Sequence, residues 1–541
     1  MNLLPHAAGL AAATVHLVLP HIDYLSILPI MVMLGGAVVI MGWSSLLRRP
    51  LDVTWVTSLT VLTASAALVL SLFQWYSVLH SGAHAHIDGA VVMDGFSVLV
   101  SVLVTCAVFV SAVVGDSWLR REGVDGPEYH VLMLVSASGA MTMGVANDLI
   151  VVFLGLEILS IALYVLAAFN SRRAESGEAA LKYFVLGGFS SAVFVYGIAL
   201  VYGATGTSNL PQIADYLARN VALHDGLLLA GLALLLVGFG FKIAAVPFHL
   251  WTPDVYQGSP TPVTGFMAAV AKAGGFAALL RVFVSSFHLL RADWQPPVWV
   301  LACITLALGA VVALLQTDVK RMLAYSSINH AGFILLGLQA ATSRGVEASL
   351  YYLFVYSFMV LGTFGVITVV AGRGDRDHSL GTYRGLASRQ PWLAGALAIL
   401  LLAQAGVPFT TGFIAKLEVV TAAVHAGSTD LAVVAMVTAA IAAFFYLRIG
   451  VLMYTPDRSA AGGGDAAVTG AGTAAPAPQD PILVGVGEVG AVSVGSLAPA
   501  PAIPAGAAFG VALCVLVTVV FGIWPAPLTA FAHHASLLLK P

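Results

Sequence analysis

The sequence predicts an all-α polytopic membrane protein of about 14 transmembrane helices, with two inverted five-helix repeats and two broken helices. Three observations lead there: an apolar composition, a succession of span-length apolar segments, and a self-similarity at a nearly constant offset. Of the 541 residues, 59% are hydrophobic and only 9% charged, with a mean hydropathy of +0.95; ordinary soluble domains carry about 25% charged residues. Runs of about 20 apolar residues, enough to cross a hydrocarbon core of roughly 30 Å, recur along almost the whole chain. The strands of a membrane β-barrel would instead be short and alternating.

Taken in order, apolar runs between polar punctuation place spans near 22–46, 54–79, 90–115, 129–146, 148–169, 178–203, 226–251, 259–285, 296–316, 321–341, 347–371, 391–425, 429–455 and 504–531. The first 20 residues are apolar but lack a basic leader, which reads as a lead-in to the first span rather than a cleaved signal peptide. Short cytoplasmic loops carry the excess of Lys and Arg. Alternate loops hold 13 of the 23 basic residues: Arg48, Arg49, Arg120, Arg121, Arg172, Arg173, Lys320, Arg321, Arg373, Arg376, Arg384, Arg389 and Arg458. The opposite set holds only Arg219, Arg291, Arg344 and Lys540. This bias predicts a multi-pass membrane protein with both termini on the outer side.

The chain also resembles itself. "EAALKYF" at 178 returns as "EASLYYL" at 347, "AAVPF" at 244 as "QAGVPF" at 404, and "LLRVFV" at 279 as "YLRIGV" at 446. The organisation that follows has three N-terminal spans in 1–128, a first five-helix repeat in 129–285 and a second in 296–455. A flexible Ala/Gly/Pro-rich cytoplasmic loop, 456–503, and a last span in 504–541 complete it. An odd number of crossings per unit inserts the second copy upside down, as in many transporters. Each copy has a proline in its fourth helix, Pro247 and Pro408. Such a residue breaks the helix and frees backbone carbonyls that need water or another partner.

Six basic residues remain within the spans: Lys182, Lys242, Lys272, Arg281, Lys416 and Arg448. A lysine at the bilayer centre costs about 2.5 to 3.5 kcal/mol, and such groups line hydrated cavities or pair with acids. Desolvation lowers a lysine pKa and a nearby carboxylate raises it, so a lysine with a movable acidic partner can take up and release a proton near neutral pH. Lys242 precedes Pro247 by five residues, and His249 would lie two turns from it, about 10.5 Å, if the helix continued. Glu157, alone in "VVFLGLEILSIALYVL", has Lys242 as its natural partner. Lys182 follows Glu178 by four residues, the spacing of an intrahelical ion pair, and a purely structural role is as natural for it as a functional one. Lys272 sits among small residues in "AAVAKAGG", and His330 in the polar cluster "SSINHAGF" with Ser326, Ser327 and Asn329. A histidine there can carry protons or simply be a bonded structural group. Lys416 follows the second break, with Glu418 on another helix face. Arg281 and Arg448 match across the repeat near span ends, which favours a structural or snorkelling role.

The strings "FLGLEILSIALYVL", "EAALKYFVLGGFSSAVFVYGIALVYGATGT", "GFKIAAVPFHLWTPDVYQGSPTPVTGFMAAVAKAGG", "LLQTDVKRMLAYSSINHAGF" and "AGVPFTTGFIAKLEV" resemble the proton-translocating, antiporter-like membrane subunits of respiratory complex I, within them the N-type of bacterial NADH-quinone oxidoreductase. The resemblance runs from about residue 90 to 455. It implies a 14-helix fold with broken seventh and twelfth helices, and a path of proton-transfer residues comprising Glu157, Lys182, Lys242, His249, Lys272, His330 and Lys416. In that family Glu157 and Lys242 would be the Glu/Lys pair, Lys272 the central lysine and Lys416 the exit-side lysine. Lysine rather than glutamate at 416 favours the N-type over the M-type.

The resemblance implies proton transfer coupled to NADH oxidation and quinone reduction, making the chain a translocase subunit. No cofactor is expected in this chain: NADH, flavin, iron-sulfur clusters and quinone belong to partner subunits. Cys106, Cys303 and Cys514 are too widely separated for a cluster or disulfide framework. The expected partners are other membrane subunits of the complex, especially the adjacent M-type antiporter-like subunit and the small K-type subunit, together with the lipid bilayer. A net charge of −3 points to no nucleic acid. The alternatives are a subunit of a multi-subunit cation/proton antiporter or membrane-bound hydrogenase, a stand-alone solute transporter, and a structural membrane anchor.

Overall fold

The computed structural model describes residues 22–47, 52–124, 126–220, 226–375, 377–456 and 503–536. The expected lead-in to the first span and almost all of the 456–503 loop lie outside the described residues. Helices dominate: α1 (Tyr24–Leu46), α2 (Val53–Ser81), α3 (Gly95–Glu122), α4 (Glu128–Val145), α5 (Leu149–Ala167), α6 (Ala174–Thr205), α7 (Leu210–Arg219), α8 (Gly226–Ile243), α9 (Trp251–Gly258) and α10 (Thr261–Arg281). They continue as α11 (Arg291–Leu314), α12 (Val319–Ala340), α13 (Ser343–Val370), α14 (Leu386–Arg389), α15 (Pro391–Ala405), α16 (Thr411–His425), α17 (Thr429–Tyr454), α18 (Ala505–Ile523) and α19 (Ala526–Ser536).

Among the described residues 11 helices are long and apolar enough to cross a membrane. The other three predicted spans are helical too. Polar residues (Ser326, Ser327, Asn329, His330) interrupt the apolar character of α12, a break divides α15 from α16, and α4 is rich in small residues. Aspartates begin many of these helices: Asp23, Asp52, Asp94, Asp148 and Asp318 each accept a first-turn backbone N–H, satisfying donors that a helix leaves open. The predicted third span is corrected at its start. Residues 84–93 form an antiparallel hairpin of β1 (His84–His86) and β2 (Val91–Met93), and α3 begins only after the capping box of Asp94 and Ser97. The lateral helix α7 was also not foreseen. It is too short to span, and Asn209 caps it.

The interior is set by which helices are enclosed. In α10 the apolar window is wholly buried, in α13 89% and in α3 83%, whereas α1, α2 and α6 bury a third of theirs and turn the rest outward. The lysine-bearing helix α10 is thus the centre of the bundle. Buried charge holds both its ends. At the C-terminal end Arg281 donates to both carboxylate oxygens of Asp94 at 2.8 and 3.0 Å and to Gly144 O at 2.8 Å. Of the structural and snorkelling roles expected for Arg281, the structure has the first: Asp94 before α3 and Gly144 of α4 supply acceptors inside the protein, so the guanidinium has no need to reach water. At the other end Asp375 accepts from Thr261 N at 2.9 Å and Thr261 Oγ1 at 2.6 Å. Asp375 also meets His378 at 3.1 Å, Arg173 at 3.5 Å and Lys320 at 3.9 Å. Lys320, counted among the loop charges from sequence, lies instead in the first turn of α12, wholly buried, and donates to Ser259 O at 2.6 Å. Burial by itself would raise the Asp375 carboxyl, but Lys320, His378 and the Thr261 hydrogen bond outweigh it and hold the group well below the usual carboxylate range.

Candidate functional site

The two breaks position the chemistry. At the first, α8 stops at Ile243, Ala244 adopts a left-handed conformation (φ +61°), and the chain passes Pro247 before restarting as α9. Protein groups satisfy part of the freed backbone. Val246 N donates to Thr305 Oγ1 at 2.9 Å, and the Trp251 indole donates to Phe241 O at 3.0 Å. Lys242 lies in the last turn of α8, where the carbonyl end of a helix favours a cation. It is 3% exposed, its amine donates to Ser160 Oγ at 2.7 Å, and it lies 5.7 Å from the centre of the Tyr183 ring.

Glu157 precedes Ser160 by about one turn on α5 and accepts from Ser191 Oγ. It is near enough to Lys242 for electrostatic interaction. The two groups do not touch: Glu157 is bonded to Ser191 and Lys242 to Ser160. A cavity of about 10 Å³ bordered by Ser160, Ser190, Ser191 and Lys242 lies in the same place, room for a single water.

Lys272 stands near the middle of α10, one turn before Gly275, where an added Cβ would meet the Lys242 Cγ at 3.3 Å. The small residues around Lys272 thus do let another lysine-bearing helix approach closely. Lys272 is 2% exposed, donates to Ser327 O on α12, and lies 5.5 Å from the Tyr356 ring centre. From there hydroxyls lead onward. Ser327 Oγ accepts from Tyr356 OH at 2.8 Å and lies 3.3 Å from Tyr256 OH. His330 meets Tyr352 OH through Nδ1 at 2.8 Å and Tyr446 OH through Nε2 at 3.0 Å, and Tyr446 also bonds Ser326. His330 interacts electrostatically with both Lys272 and Lys416.

Lys416 completes the row. It belongs to α16, after the second break, yet its amine reaches back to the carbonyl end of α15, donating to Gln404 O at 2.9 Å and Ala405 O at 2.8 Å. It passes over Gly406, whose φ of +90° and lack of a Cβ make the route: a Cβ there would sit 3.0 Å from the Lys416 Cδ. Lys416 and Lys242 therefore both occupy the carbonyl end of a first half-helix, although they lie on opposite sides of their prolines in sequence.

Two predicted residues fall elsewhere. His249 does not stack two turns from Lys242, because the helix ends at Ile243. It lies in the connector, 6% exposed, with Nδ1 lacking a hydrogen-bond partner. The Lys182 side chain is 42% exposed and makes the foreseen i,i+4 pair with Glu178 at 2.7 Å, plus a second with Asp254 at 2.8 Å. Asp254 also accepts from Arg321 at 2.7 Å. Lys182 is thus an ion-paired group at the bundle surface, with Tyr183 beside it reaching the buried row. Sequence reasoning missed the tyrosines 256, 352, 356 and 446. One signal was available: Tyr352 occupies the place of Tyr183 in the repeated heptapeptide.

With this geometry in hand, comparison with known proteins is decisive. The family model described as NADH:quinone oxidoreductase/Mrp antiporter, TM, matches residues 146–442, a stretch containing all seven predicted residues. A Mycobacterium tuberculosis protein named NADH-quinone oxidoreductase subunit N is 37% identical over 96% of this chain and 99% of its own length. The chain belongs to the NADH-quinone oxidoreductase subunit N family. A subunit N from Trichlorobacter lovleyi is 42% identical over 68% of this chain and 75% of its own. Among solved structures, a chain of respiratory complex I from Thermus thermophilus superimposes with a TM-score of 0.73 at 30% identity, covering 93% of this chain and 98% of that one. A chain of an Mrp complex from a Dietzia species gives a TM-score of 0.80 at 22% identity, covering 95% and 97%, and shares the fold. Membership of the subunit N family assigns these buried lysines to a membrane subunit rather than to an anchor or a stand-alone transporter.

Proposed function

We propose that this chain is a proton-translocating membrane subunit of complex I and that Lys242, Lys272, His330 and Lys416 form its proton path. One observation carries this reading. Three amines are buried in a row through the bundle, and among the described residues none has a carboxylate within ion-pair distance. Holding a charge there costs several kcal/mol, so these amines exchange protons with their neighbours whenever the local charge balance changes. Glu157, bonded to Ser191 and separated from Lys242 by Ser160, is the charge that sets this balance. A change in its distance to Lys242 would start a transfer through Lys272 and the His330 hydroxyl cluster to Lys416. Lys182 serves the uptake side through its ion pairs with Glu178 and Asp254, and His249 adds a polar station in the first break.

In this reading the helices cross the membrane fourteen times, the arginine-rich face is cytoplasmic, and the two units around Pro247 and Pro408 are inverted copies. The chain works in a multi-subunit assembly of the inner membrane, beside an M-type subunit and the small K-type subunit. NADH, flavin, iron-sulfur clusters and quinone are handled by partner subunits, and no redox centre is assigned to this chain. Its translocase role is therefore exercised only in the assembly. The full-length likeness to subunit N proteins favours this over the antiporter or hydrogenase alternative.

Replacing Lys242 by Ala in the assembled complex tests the reading. NADH-driven proton translocation should fall while the complex still assembles; full pumping at the parent proton-to-electron ratio would refute the assignment. Purification of the chain with flavin and iron-sulfur subunits that oxidise NADH separates it from an antiporter subunit.

A further inference from the structure

Two polar cavities open at the surface of the described residues. One, of about 340 Å³, is lined by Glu178 and Lys182 of α6 and by Asp254 and Gln257 of α9. The other, of about 680 Å³, is lined by Arg344 and Glu347 of α13, Glu418 of α16 and Thr529 and His533 of α19.

The self-similarity of the chain carries one cavity onto the other. In the matched heptapeptides Glu178 corresponds to Glu347, and Lys182 to Tyr351. Gln257 lies ten residues after Pro247, and Glu418 ten residues after Pro408. In the proposed topology five crossings (α6, α8–α9, α10, α11 and α12) separate the first turn of α6 from that of α13, so the two cavities open on opposite faces. They are not chemically identical. Lys182 lines the first cavity, whereas its sequence match Tyr351 is buried behind the second, 1% exposed, with a hydroxyl that lacks a hydrogen-bond partner and an electrostatic interaction with Glu418. Glu347 meets His533 of the terminal helix, Nδ1 to Oε2, at 2.9 Å. Glu418 is two residues from Lys416 on α16.

We propose that Glu418 and Glu347 are the groups through which a proton leaving Lys416 reaches the outer face, with His533 as the last station before bulk water. The proposal rests on the proton-path reading above. Residues two apart on a helix point to different sides, so the transfer from Lys416 to Glu418 is relayed by water between them rather than by direct contact. The Lys416 ammonium gives up one proton and becomes a neutral amine. The Glu418 carboxylate gains that proton as a carboxylic acid and loses it to Glu347, His533 or water. Arg344, at the same cavity, favours the ionised carboxylates and so returns them to the accepting state. The basic and acidic groups lining this cavity are Arg344, Glu347, Glu418 and His533.

The test uses the whole complex reconstituted into proteoliposomes, comparing the parent, Lys242→Ala and the double variant Glu347→Gln/Glu418→Gln. NADH oxidation by an artificial electron acceptor reports that the redox partners are intact. The double variant should retain that activity and lose proton translocation by at least about tenfold, a conservative floor beneath the roughly 100- to 10,000-fold contributed by a positioned acid–base group. Parent-rate pumping in the double variant, with loss in Lys242→Ala, would overturn this proposal and leave the path standing. Parent-rate pumping in both would overturn the path itself. Should the double variant fail to assemble, Thr529→Cys provides the second test. Modifying that thiol with a bulky, charged reagent in the assembled complex should slow pumping relative to treated parent, and an unchanged rate would equally refute the proposal.

Discussion

Replacing Asp375 by Ala should release the N-terminal end of α10 and, with it, the placement of Lys272. The carboxylate is fully buried and faces the Arg173 guanidinium at 3.5 Å and the Lys320 amine at 3.9 Å. At an effective dielectric constant of about 20, each of these attractions amounts to roughly 4 to 5 kcal/mol before desolvation is subtracted. Removing one partner of such a group leaves the buried Lys320 uncompensated, and the net loss is about 3 to 5 kcal/mol. Hydrogen–deuterium exchange in the assembled complex reads this locally. Protection across 371–379 and the first turn of α10 should fall by roughly 100- to 1,000-fold or more, with distant helices unchanged. Asp254 supplies the control. Its partners Lys182 and Arg321 are 42% and 32% exposed, so Asp254→Asn should cost no more than about 1 kcal/mol. Equal effects of the two substitutions would refute the claim that burial, rather than the count of ion pairs, sets the energy. The pH dependence follows from the sign of the shift. Because the folded-state carboxyl is depressed, its stabilisation is complete above the unfolded value of about 3.9 and is lost only as pH falls through the lower folded value. Burial pushes the Lys320 amine down to about 8, so the flat window lies below that value, and protection of this segment should be as high at pH 5 as at about pH 6.5.

Two further substitutions probe the row of amines. Gly406→Ala should impair pumping more than its size suggests, since the new methyl must adopt φ +90° and crowds Lys416 at 3.0 Å. A cost of about 1 to 2 kcal/mol is expected from the backbone alone, and normal proton translocation at an unchanged complex level would refute it. Tyr446→Phe removes the partner of His330 Nε2 and of Ser326, leaving buried groups unsatisfied at about 1 to 3 kcal/mol. The complex should assemble and pump slowly, whereas Tyr325→Phe, which has no part in the cluster, should pump at the parent rate.

Much of the architecture was legible because bilayer physics leaves large signals in sequence. Apolar runs located the helices but not all their ends, running on past Ile243 and Ile523 where the helices end, and lone polar residues in them marked the interior, since a lysine facing lipid is too costly to keep without reason. Errors came where a decision depended on a distant partner. For Arg281 the sequence left a structural and a snorkelling role open because nothing near it in sequence is acidic; Asp94, 187 positions away, pairs with it and decides for the first. Lys320 looked like a loop charge because it adjoins Arg321, but Asp375 draws it inside. His249 was placed by helical periodicity, which ceases to apply once the helix ends at Ile243.

By itself, then, the sequence determined what any membrane-spanning chain must declare locally: the apolar helices, the two breaks, and the unusual amines at 242, 272 and 416. Folding decided how those amines are connected. Lys242 precedes its proline by five residues and Lys416 follows its own by eight, a spacing that describes two unrelated positions. In three dimensions both amines stand at the carbonyl end of a broken helix, one rooted in that half-helix and the other reaching back to it past Gly406. The tyrosine and serine hydroxyls between them come from α9, α12, α13 and α17, which no local pattern brings together. A charge in the membrane reports its own cost within a few residues, but the groups that make it bearable are supplied by tertiary packing.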